Sequence, residues 1–185
     1  MYLKTADLCD ENQDKNIQVL SSEFKAYGGL KGFFGQIITI KLNKSNWDLL
    51  SMLRDEEGKD KIIIVDVDRE FYGVVGDKLS LFAERNKYKA LIINGYVRDI
   101  EETKKFAIGL IALGTCPLRN FEKTNGERDI ELKFGGVTFN NGDFLPKYTR
   151  KLKEWFVENR DIMMALNIND NDKKELDNYF ENIKS

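Results

Sequence analysis

The sequence predicts a single α/β domain built around a mixed sheet. Short apolar runs typical of buried strands alternate with amphipathic stretches typical of helices, which is the pattern of layered α/β proteins. The 185 residues can bury one real core but are too few for two ordinary domains. Apolar residues make up 42% of the chain and charged residues 32%, the balance of a soluble globular protein.

The N-terminal segment predicts one short helix followed by three strands. Thr5 can cap a helix that ends near residue 12, and residues 17–20 and 24–27 are short strand candidates. Residues 35–42 are rich in β-branched side chains and predict a stronger strand.

A second helix is predicted to begin at Ser45. Ser45 and Asp48 resemble a capping box with aspartate in place of glutamate, and the helix is expected to end near Gly58. Its predicted buried face carries Trp47, Leu50 and Leu53.

The middle of the chain predicts strands that each lead into a helix. Residues 61–66 and 90–94 are buried-type strands, residues 77–87 form an amphipathic helix, and a short helix starts near Asp99. The predicted inward face of the longer helix carries Leu79, Phe82 and Ala83.

The C-terminal part mixes short strands with helices. The expected elements are an apolar stretch at 107–113, two runs at 130–134 and 137–139 flanking a Gly-Gly pair, a helix at 151–159, a short strand at 162–165 and a charged helix from about residue 170. The last helix places Leu176, Tyr179, Phe180 and Ile183 at helical spacing.

One constellation of polar residues points to a site. Twenty residues separate Asp77 from the pair Arg98-Asp99, and two more separate that pair from Glu102. Both ends of this spacing fall in a loop between the end of a predicted strand and the start of the next helix. Layered α/β proteins bind ligands at such loops. Two carboxylates and one guanidinium at such loops could hold a hard divalent cation together with a small carboxylate substrate.

Each member of this constellation also has an ordinary structural explanation. Asp99 with Glu102 can simply begin a helix, and Asp77 after Gly76 can be a cap after a turn. Arg98 alone can be a surface residue or half of a structural ion pair. The residues by themselves therefore leave both a ligand site and plain helix capping open.

Composition excludes several classes of function. A net charge of −2 argues against direct nucleic-acid binding, and no apolar stretch approaches the length of about 20 residues that spans a bilayer. The chain has no histidine, which removes Ser-His and Cys-His catalysis and the commonest zinc ligand. Cys9 and Cys116 have no metal-type spacing, so a reduced, cytoplasmic setting is expected.

Several sequence blocks in the same order resemble the RraA-like family, over about residues 5–145. The blocks are Leu8-Cys9-Asp10, Tyr27-Gly28-Gly29, residues 34–41, Val65-Asp66, Gly76-Asp77-Lys78-Leu79, residues 94–99, residues 134–138 and Gly142-Asp143. That family includes regulators of ribonuclease E activity and class II aldolases acting on 4-hydroxy-4-methyl-2-oxoglutarate. The resemblance implies a swivelling β/β/α-type domain assembled as a homotrimer or a dimer of trimers, with the site between subunits.

The resemblance also implies roles for the residues of the constellation. Asp99 would hold Mg²⁺ or Mn²⁺, mostly through waters, and Arg98 would pair with a small 2-oxo acid substrate. Asp77 would position a water that gives or takes a proton. The backbone amides of Gly76, Asp77, Lys78 and Leu79 would receive the substrate carboxylate. Cleavage of a C–C bond, by retro-aldol reaction or by decarboxylation of oxaloacetate, would then yield pyruvate enolate.

Two stretches depart from the family pattern. Residues 67–70 replace a glycine-rich stretch, and their side chains are expected to crowd or recharge a loop near the pocket. A later stretch is replaced by an insertion through about residues 146–155, with residues 160–166 as a closing strand. The expected division is an RraA-like α/β domain at 1–166 and a C-terminal charged amphipathic helix at 167–185.

Three functions follow from the sequence. The first is a metal-dependent lyase of 2-oxo acids, of the 4-hydroxy-4-methyl-2-oxoglutarate aldolase or oxaloacetate decarboxylase type. The second is a non-catalytic regulator that binds and inhibits a ribonuclease E-type enzyme. The third, which the altered loop at 67–70 keeps open, is a member of the family with neither activity.

Overall fold

The structure, a computed structural model, describes Cys9 and residues 18–30 and 32–146. Of the predicted helix at 5–12 only Cys9 is described, and it is helical. The predicted helices at 151–159 and 167–185, the strand at 162–165 and nearly all of the expected insertion lie outside the described residues. Among the described residues, no helix is long and apolar enough to cross a membrane.

An eight-stranded mixed sheet forms the centre of the fold. The strands are β1 (Lys25–Ala26), β2 (Phe34–Lys41), β3 (Lys61–Asp66), β4 (Gly73–Val75), β5 (Ala90–Val97), β6 (Gly109–Thr115), β7 (Glu127–Arg128) and β10 (Phe144–Pro146). The path of the sheet runs β1-β6-β5-β3-β2-β10, with β4 beside β5 and β7 beside β2. Neighbours among β2, β3, β5 and β6 are parallel, β4 is parallel to β5, and β1, β7 and β10 are antiparallel to their partners.

Within the described residues, three helices pack on one face of this sheet and a β-hairpin packs on the other. The helices are α1 (Trp47–Asp55), α2 (Asp77–Arg85) and α3 (Ile100–Thr103), and the hairpin is β8 (Leu132–Phe134) with β9 (Val137–Phe139). The strands therefore bury both faces, which explains their continuous apolar runs. This layering agrees with the predicted β/β/α arrangement in a single α/β domain.

Alternate residues of the central strands divide the core into two clusters. Toward the helices, Ile63 and Val65 of β3 pack with side chains of α1 and α2, namely Leu49, Met52, Leu53, Leu79 and Ala83. Toward the hairpin, Ile62 and Ile64 pack with Leu132, Phe134 and Phe139. The two-residue period of a strand produces this division.

The structure corrects the predicted start and buried face of the second helix. Asn46, not Ser45, occupies the cap position and makes no side-chain capping bond, although the Ser45 hydroxyl accepts a bond of 3.1 Å from the Trp47 amide. The Asp48 carboxylate accepts a hydrogen bond from the amide of Gly126 instead of closing a capping box. Leu49, Met52 and Leu53 are the buried residues of α1.

Other boundaries also differ from the prediction. Residues 18–20 form no strand, and the second predicted strand shrinks to β1. The segment before Gly76, expected to be a loop, contains the three-residue strand β4. The strand expected at 90–94 continues to Val97, so β5 ends immediately before Arg98.

Candidate functional site

Parallel strands bring the residues of the predicted constellation to one edge of the sheet. β5 runs parallel to both β4 and β6, so all three strands end on the same side. Asp77 begins α2 and is separated from β4 only by Gly76, and Arg98 and Asp99 follow β5 directly. Residues that are separated by twenty others in sequence therefore lie at one edge, which is where α/β sheets bind ligands.

The side chains of Arg98 and Asp99 form an ion pair at this edge. Arg98 Nε lies 3.1 Å from Asp99 Oδ2, and the two side chains are 29% and 40% exposed. The Arg98 amide donates a hydrogen bond of 2.9 Å to the carbonyl of Val75, which ties the start of the loop to β4. The ion pair uses Nε, so the two terminal nitrogens of the guanidinium are left for a ligand.

Two glycines make room for the Arg98 side chain. A Cβ added to Gly76 would lie 2.5 Å from Asp99 Oδ2 and 3.0 Å from Arg98 Cγ. A Cβ added to Gly73 would lie 2.8 Å from Arg98 Cδ and 2.7 Å from the Cys116 carbonyl oxygen. At Gly73 the backbone of Cys116 leaves no room for a side chain, whereas at Gly76 a Cβ would have to displace the Arg98-Asp99 ion pair.

Asp99 occupies the cap position of α3 but does not cap it with its side chain. Its backbone is left-handed, with φ 52° and ψ 41°, and its carboxylate makes no capping bond. Its carbonyl oxygen accepts hydrogen bonds from the amides of Glu102 and Thr103, at 2.9 and 3.0 Å. The carboxylate is directed to Arg98 instead, so helix capping does not explain the acidic side chain at this position.

Asp77 lies in the first turn of α2 and binds an amide of that turn. Its Oδ1 accepts a hydrogen bond of 2.7 Å from the amide of Lys78. The first bond within the helix runs from Ser80 N to the Gly76 carbonyl at 3.1 Å, so the amides of residues 77–79 have no acceptor within the helix. The start of α2 therefore offers N–H groups and the positive end of a helix dipole.

An open cleft of about 480 Å³ lies at these residues. It is lined by Asp77, Lys78, Arg98, Asp99, Ile100, Glu101, Glu102 and Arg119. Glu102, the fourth member of the predicted constellation, is paired with Lys105 at 2.7 Å. Glu101 is paired with Lys104 at 2.7 Å, and this hydrogen bond lowers the pKa of the Glu101 carboxyl.

The donor set at the cleft fits a hydrated hard cation. Within the described residues, no group of three or more His, Cys, Asp or Glu side chains could hold a metal ion. Mg²⁺ keeps most of its waters and often binds through one or two carboxylates, so it needs no such group. Asp99 Oδ1 accepts no hydrogen bond from any residue that the structure describes, which leaves one oxygen free beside the cleft.

The loop at 67–70 makes its contacts away from the cleft. Val67 is buried in the core on the helix side of the sheet, and Asp68 pairs with Lys41 at 3.0 Å. The guanidinium of Arg69 binds both carboxylate oxygens of Glu23, at 3.1 and 2.9 Å. None of residues 67–70 lines this cleft, so they do not crowd it, but Glu70 lines the adjoining cleft that shares Arg119 and places a negative charge near the site.

Two contributors to the site went unnoticed in the sequence. Gly73 became identifiable only once β4 was seen to pack beside β5. Arg119 follows β6, the other parallel neighbour of β5, so a rule to inspect the residues after each strand would have found it.

Comparison with known proteins identifies relatives of the whole described region. The model of the RraA-like family, described as Aldolase/RraA, matches residues 5–146. A protein of Dechloromonas aromatica (strain RCB), provisionally named a 4-hydroxy-4-methyl-2-oxoglutarate aldolase, is 36% identical over 149 residues, covering 78% of this chain and 91% of the relative.

Two solved structures share the fold closely. The RNA-processing inhibitor RraA from Thermus thermophilis matches with a TM-score of 0.72 and 30% identity, over 80% of this chain and 88% of that one. A structure described as an S-adenosylmethionine:2-dimethylmenaquinone methyltransferase from Geobacillus kaustophilus HTA426 matches with a TM-score of 0.72 and 33% identity, over 80% and 89%. The blocks from the N-terminal Leu8-Cys9-Asp10 to Gly142-Asp143, the three-layer fold and these matches agree, and the chain belongs to the RraA-like family.

Proposed function

We propose that this protein is a divalent-metal-dependent C–C lyase acting on 2-oxo acids, of the 4-hydroxy-4-methyl-2-oxoglutarate aldolase and oxaloacetate decarboxylase type. The observation that carries the proposal is the Arg98 guanidinium held at the cleft by Asp99 and accommodated by Gly73 and Gly76. The fold neighbours carry several different names, so the side chains of the site, together with the aldolase name of the 36%-identical relative, support the choice.

Arg98 would bind the reacting end of the substrate. Its terminal nitrogens form a planar fork that matches the carboxylate and keto oxygens of a 2-oxo acid. The free amides at the start of α2 would take the second carboxylate oxygen, with the helix dipole favouring its charge. The Lys78 amide already has the Asp77 carboxylate as its acceptor, so Asp77 and Leu79 offer the available amides.

Asp99 would hold Mg²⁺ or Mn²⁺ through its free oxygen and bound waters. Such an ion, when bound, supplies a Lewis acid for the C2 keto oxygen of the substrate. The ion pair with Arg98 fixes the Asp99 side chain, so the carboxylate and the guanidinium are oriented together toward the same substrate oxygens.

Bond cleavage would leave an electron pair that Arg98 stabilises. In the retro-aldol reaction the C4 hydroxyl would give its proton to the water positioned by Asp77, C4 would become a carbonyl, and the electrons of the broken C3–C4 bond would form the enolate of pyruvate. In oxaloacetate the same bond breaks with release of CO₂. A water positioned by Asp77 would then donate a proton to C3, which completes pyruvate.

Substitution of Arg98 tests the proposal. Arg98→Ala removes a charge-assisted contact and is expected to lower kcat/KM for pyruvate release by roughly 30- to 1,000-fold. Arg98→Lys should restore only part of the rate, because an ammonium cannot form the bidentate fork. EDTA should abolish the activity and Mg²⁺ or Mn²⁺ should restore it. Pyruvate release that is independent of both the metal and Arg98 would contradict the proposal.

Substitution of Asp77 tests the proton-transfer step separately. Asp77→Asn is expected to lower kcat more than it raises KM, because proton transfer takes place in the transition state. Asp77→Glu, which keeps the charge on a longer side chain, is the matched variant. An unchanged kcat in Asp77→Asn would remove Asp77 from the mechanism.

A regulatory function is the second candidate. The observation that favours it is the match to the RNA-processing inhibitor RraA over 80% of this chain at 30% identity. Such a protein would bind a ribonuclease E-type enzyme through surface charge and would not need the cleft. A pull-down with that enzyme should then succeed equally with wild type and Asp99→Asn. Failure of both proteins to bind removes this candidate.

A further inference from the structure

Residues 68–71 lie in the loop that leads from the carboxyl end of β3 to β4, between two buried residues. Val67 before them is 1% exposed and Tyr72 after them is 6% exposed, whereas all four residues between are exposed. We infer that residues 68–71 form a lid, which two surface ion pairs hold closed against a strained backbone, and that rising ionic strength opens it. The inference goes beyond the proposed lyase function and does not depend on it.

The backbone of the lid is strained at two consecutive residues. Asp68 has φ 50° and Arg69 has φ 62°, so both are left-handed although neither is glycine. This conformation brings a Cβ too close to the following carbonyl oxygen, and aspartate tolerates it better than arginine. The amide of Arg69 donates a bond of 3.2 Å to the carbonyl of Asn94, so a strained residue makes the closing contact with β5. Contacts of the lid must therefore offset the strain for the lid to remain closed.

Two ion pairs attach the lid to neighbouring segments. Arg69 donates from both terminal nitrogens to the carboxylate of Glu23, at 3.1 and 2.9 Å. Lys41 Nζ lies 3.0 Å from the Asp68 carboxylate. Bidentate geometry is the arrangement in which a surface ion pair contributes measurably to stability. Lys41 also lies 3.6 Å from Asp66 Oδ2, but Asp66 belongs to β3, so that contact does not hold the lid.

Salt reaches all four side chains of these two ion pairs, which are 40–66% exposed. Added salt shortens the screening length from about 10 Å at 0.1 M to about 3 Å at 1 M, which weakens exposed ion pairs. The backbone strain arises from steric contacts and does not depend on salt. High ionic strength therefore weakens the contacts that close the lid and leaves the strain that favours its opening.

The lid covers a thiol and forms part of the wall of the adjoining cleft. Cys116 is fully buried, and its thiol donates a bond of 3.6 Å to the carbonyl of Phe71, the last residue of the lid. The Phe71 ring packs edge-on against Tyr96, with 4.9 Å between the ring centroids. Glu70 and Phe71 line the cleft that shares Arg119 with the candidate site. Opening of the lid would therefore uncover Cys116 and widen this cleft.

Alkylation of Cys116 measures the opening. The chain has two cysteines, so Cys9→Ser leaves Cys116 as the only thiol, and every variant is made in this background. N-ethylmaleimide is uncharged, so salt does not alter its approach to the protein. We expect the labelling rate of the folded protein to rise about 2- to 10-fold between about 0.05 M and about 1 M NaCl. Low concentrations of urea should leave the rate unchanged, because a local opening exposes little new surface.

Variants of the lid contacts separate the ion pair from the strain. Glu23→Gln removes the charge that pairs with Arg69, so labelling at low salt should be about two- to fivefold faster and less dependent on salt. Arg69→Ala and Arg69→Gly both lose the guanidinium, but only glycine relieves the left-handed strain. We expect Arg69→Gly to be labelled about fivefold more slowly than Arg69→Ala.

Arg54 provides the matched control. It also binds both oxygens of a carboxylate, that of Asp55, at 2.7 and 2.6 Å, but in the last turn of α1. Arg54→Gln should therefore leave the labelling rate and its salt dependence unchanged. A rate that does not change with salt, or that Glu23→Gln leaves unaltered, would overturn the inference. Equal rates for Arg69→Ala and Arg69→Gly, or a rate that rises with urea in proportion to global unfolding, would overturn it as well.

Discussion

Gly76 lies so close to the Arg98-Asp99 ion pair that the observed geometry of the pair depends on the lack of a Cβ at residue 76. No methyl group fits 2.5 Å from Asp99 Oδ2 without moving the carboxylate. Asp99 itself holds a left-handed backbone, which is unfavourable for residues with a Cβ and is best tolerated by Asn and Asp. Such local strain at a ligand site is a recurrent feature of proteins.

Gly76→Ala is expected to inactivate the protein with little effect on its fold. The added methyl group displaces the Arg98-Asp99 pair, and a shift of about 1 Å can lower kcat/KM about 100-fold. Steady-state kinetics and thermal unfolding measure the two effects. Gly114→Ala is the control, because its Cβ would meet only the ring of Tyr96, at 3.3 Å. Activity of Gly76→Ala within twofold of wild type would contradict the described packing.

Asp99→Asn and Asp99→Ala are expected to differ in stability although both lose metal binding. Asparagine keeps the left-handed conformation at little cost, whereas alanine should cost about 1 kcal/mol more in the free energy of unfolding. Urea unfolding in EDTA measures the difference without any metal contribution. Equal stability of the two variants would show that the backbone at residue 99 changes conformation. The strain was invisible in the sequence, which predicted Asp99 either as a ligand residue or as a helix start and carried no sign of a left-handed backbone.

At the scale of elements, strands made of long apolar runs were predictable from the sequence. A very short strand and a polar contact between distant residues were not. β3 was predicted with its observed bounds because residues 61–66 form an uninterrupted buried run. β4 was missed because three residues starting with Gly73 carry no period, and its strand conformation depends on pairing with β5. Asp48 binds an amide 78 residues away, a contact that local pattern cannot reveal.

The face of α1 gives a direct test at this scale. Sequence spacing placed Trp47 inward, but its side chain is 39% exposed beneath Lys123, while Leu49 is fully buried. Leu49→Ala is expected to cost about 2–5 kcal/mol in the free energy of unfolding, and Trp47→Ala about 1 kcal/mol. Denaturant unfolding of both variants measures this. If Trp47→Ala lowers the free energy of unfolding as much as Leu49→Ala or more, the buried face predicted from the sequence would be correct and the observed one would be contradicted.

At the scale of the whole molecule, the fold class and the place of the site were predictable, but the full lining of the cleft was not. Arg98 and Asp99 follow β5, a strand that the sequence identified, and Asp77 follows β4, which pairs in parallel with β5, so the convergence of the three residues follows from parallel strand order. Arg119 enters from a loop whose path is set by contacts with Val97 and Gly73, and those contacts exist only in the folded chain. Tertiary hydrogen bonds, not local propensity, therefore complete the cleft.

The oligomeric state is a separate prediction for the whole molecule. The family resemblance leads us to expect a homotrimer or a dimer of trimers with the site shared between subunits. The exposed side chains of Phe71, Leu118 and Phe121, which are 57–76% exposed beside the site, are consistent with such a contact. Light scattering at micromolar concentration should give a mass of three or six protomers. A monomer would contradict the shared site.

The central claim is that Arg98 stabilises the enolate of a 2-oxo acid, and proton exchange on pyruvate tests it most directly. Pyruvate in D₂O with the protein and Mg²⁺ should lose its methyl ¹H NMR signal as enolisation replaces C3 protons by deuterium. This half-reaction needs no knowledge of the natural substrate. We expect exchange with wild type, and none above the background rate with Arg98→Ala or after addition of EDTA. Absence of exchange with wild type, or exchange that persists in Arg98→Ala, would contradict the account.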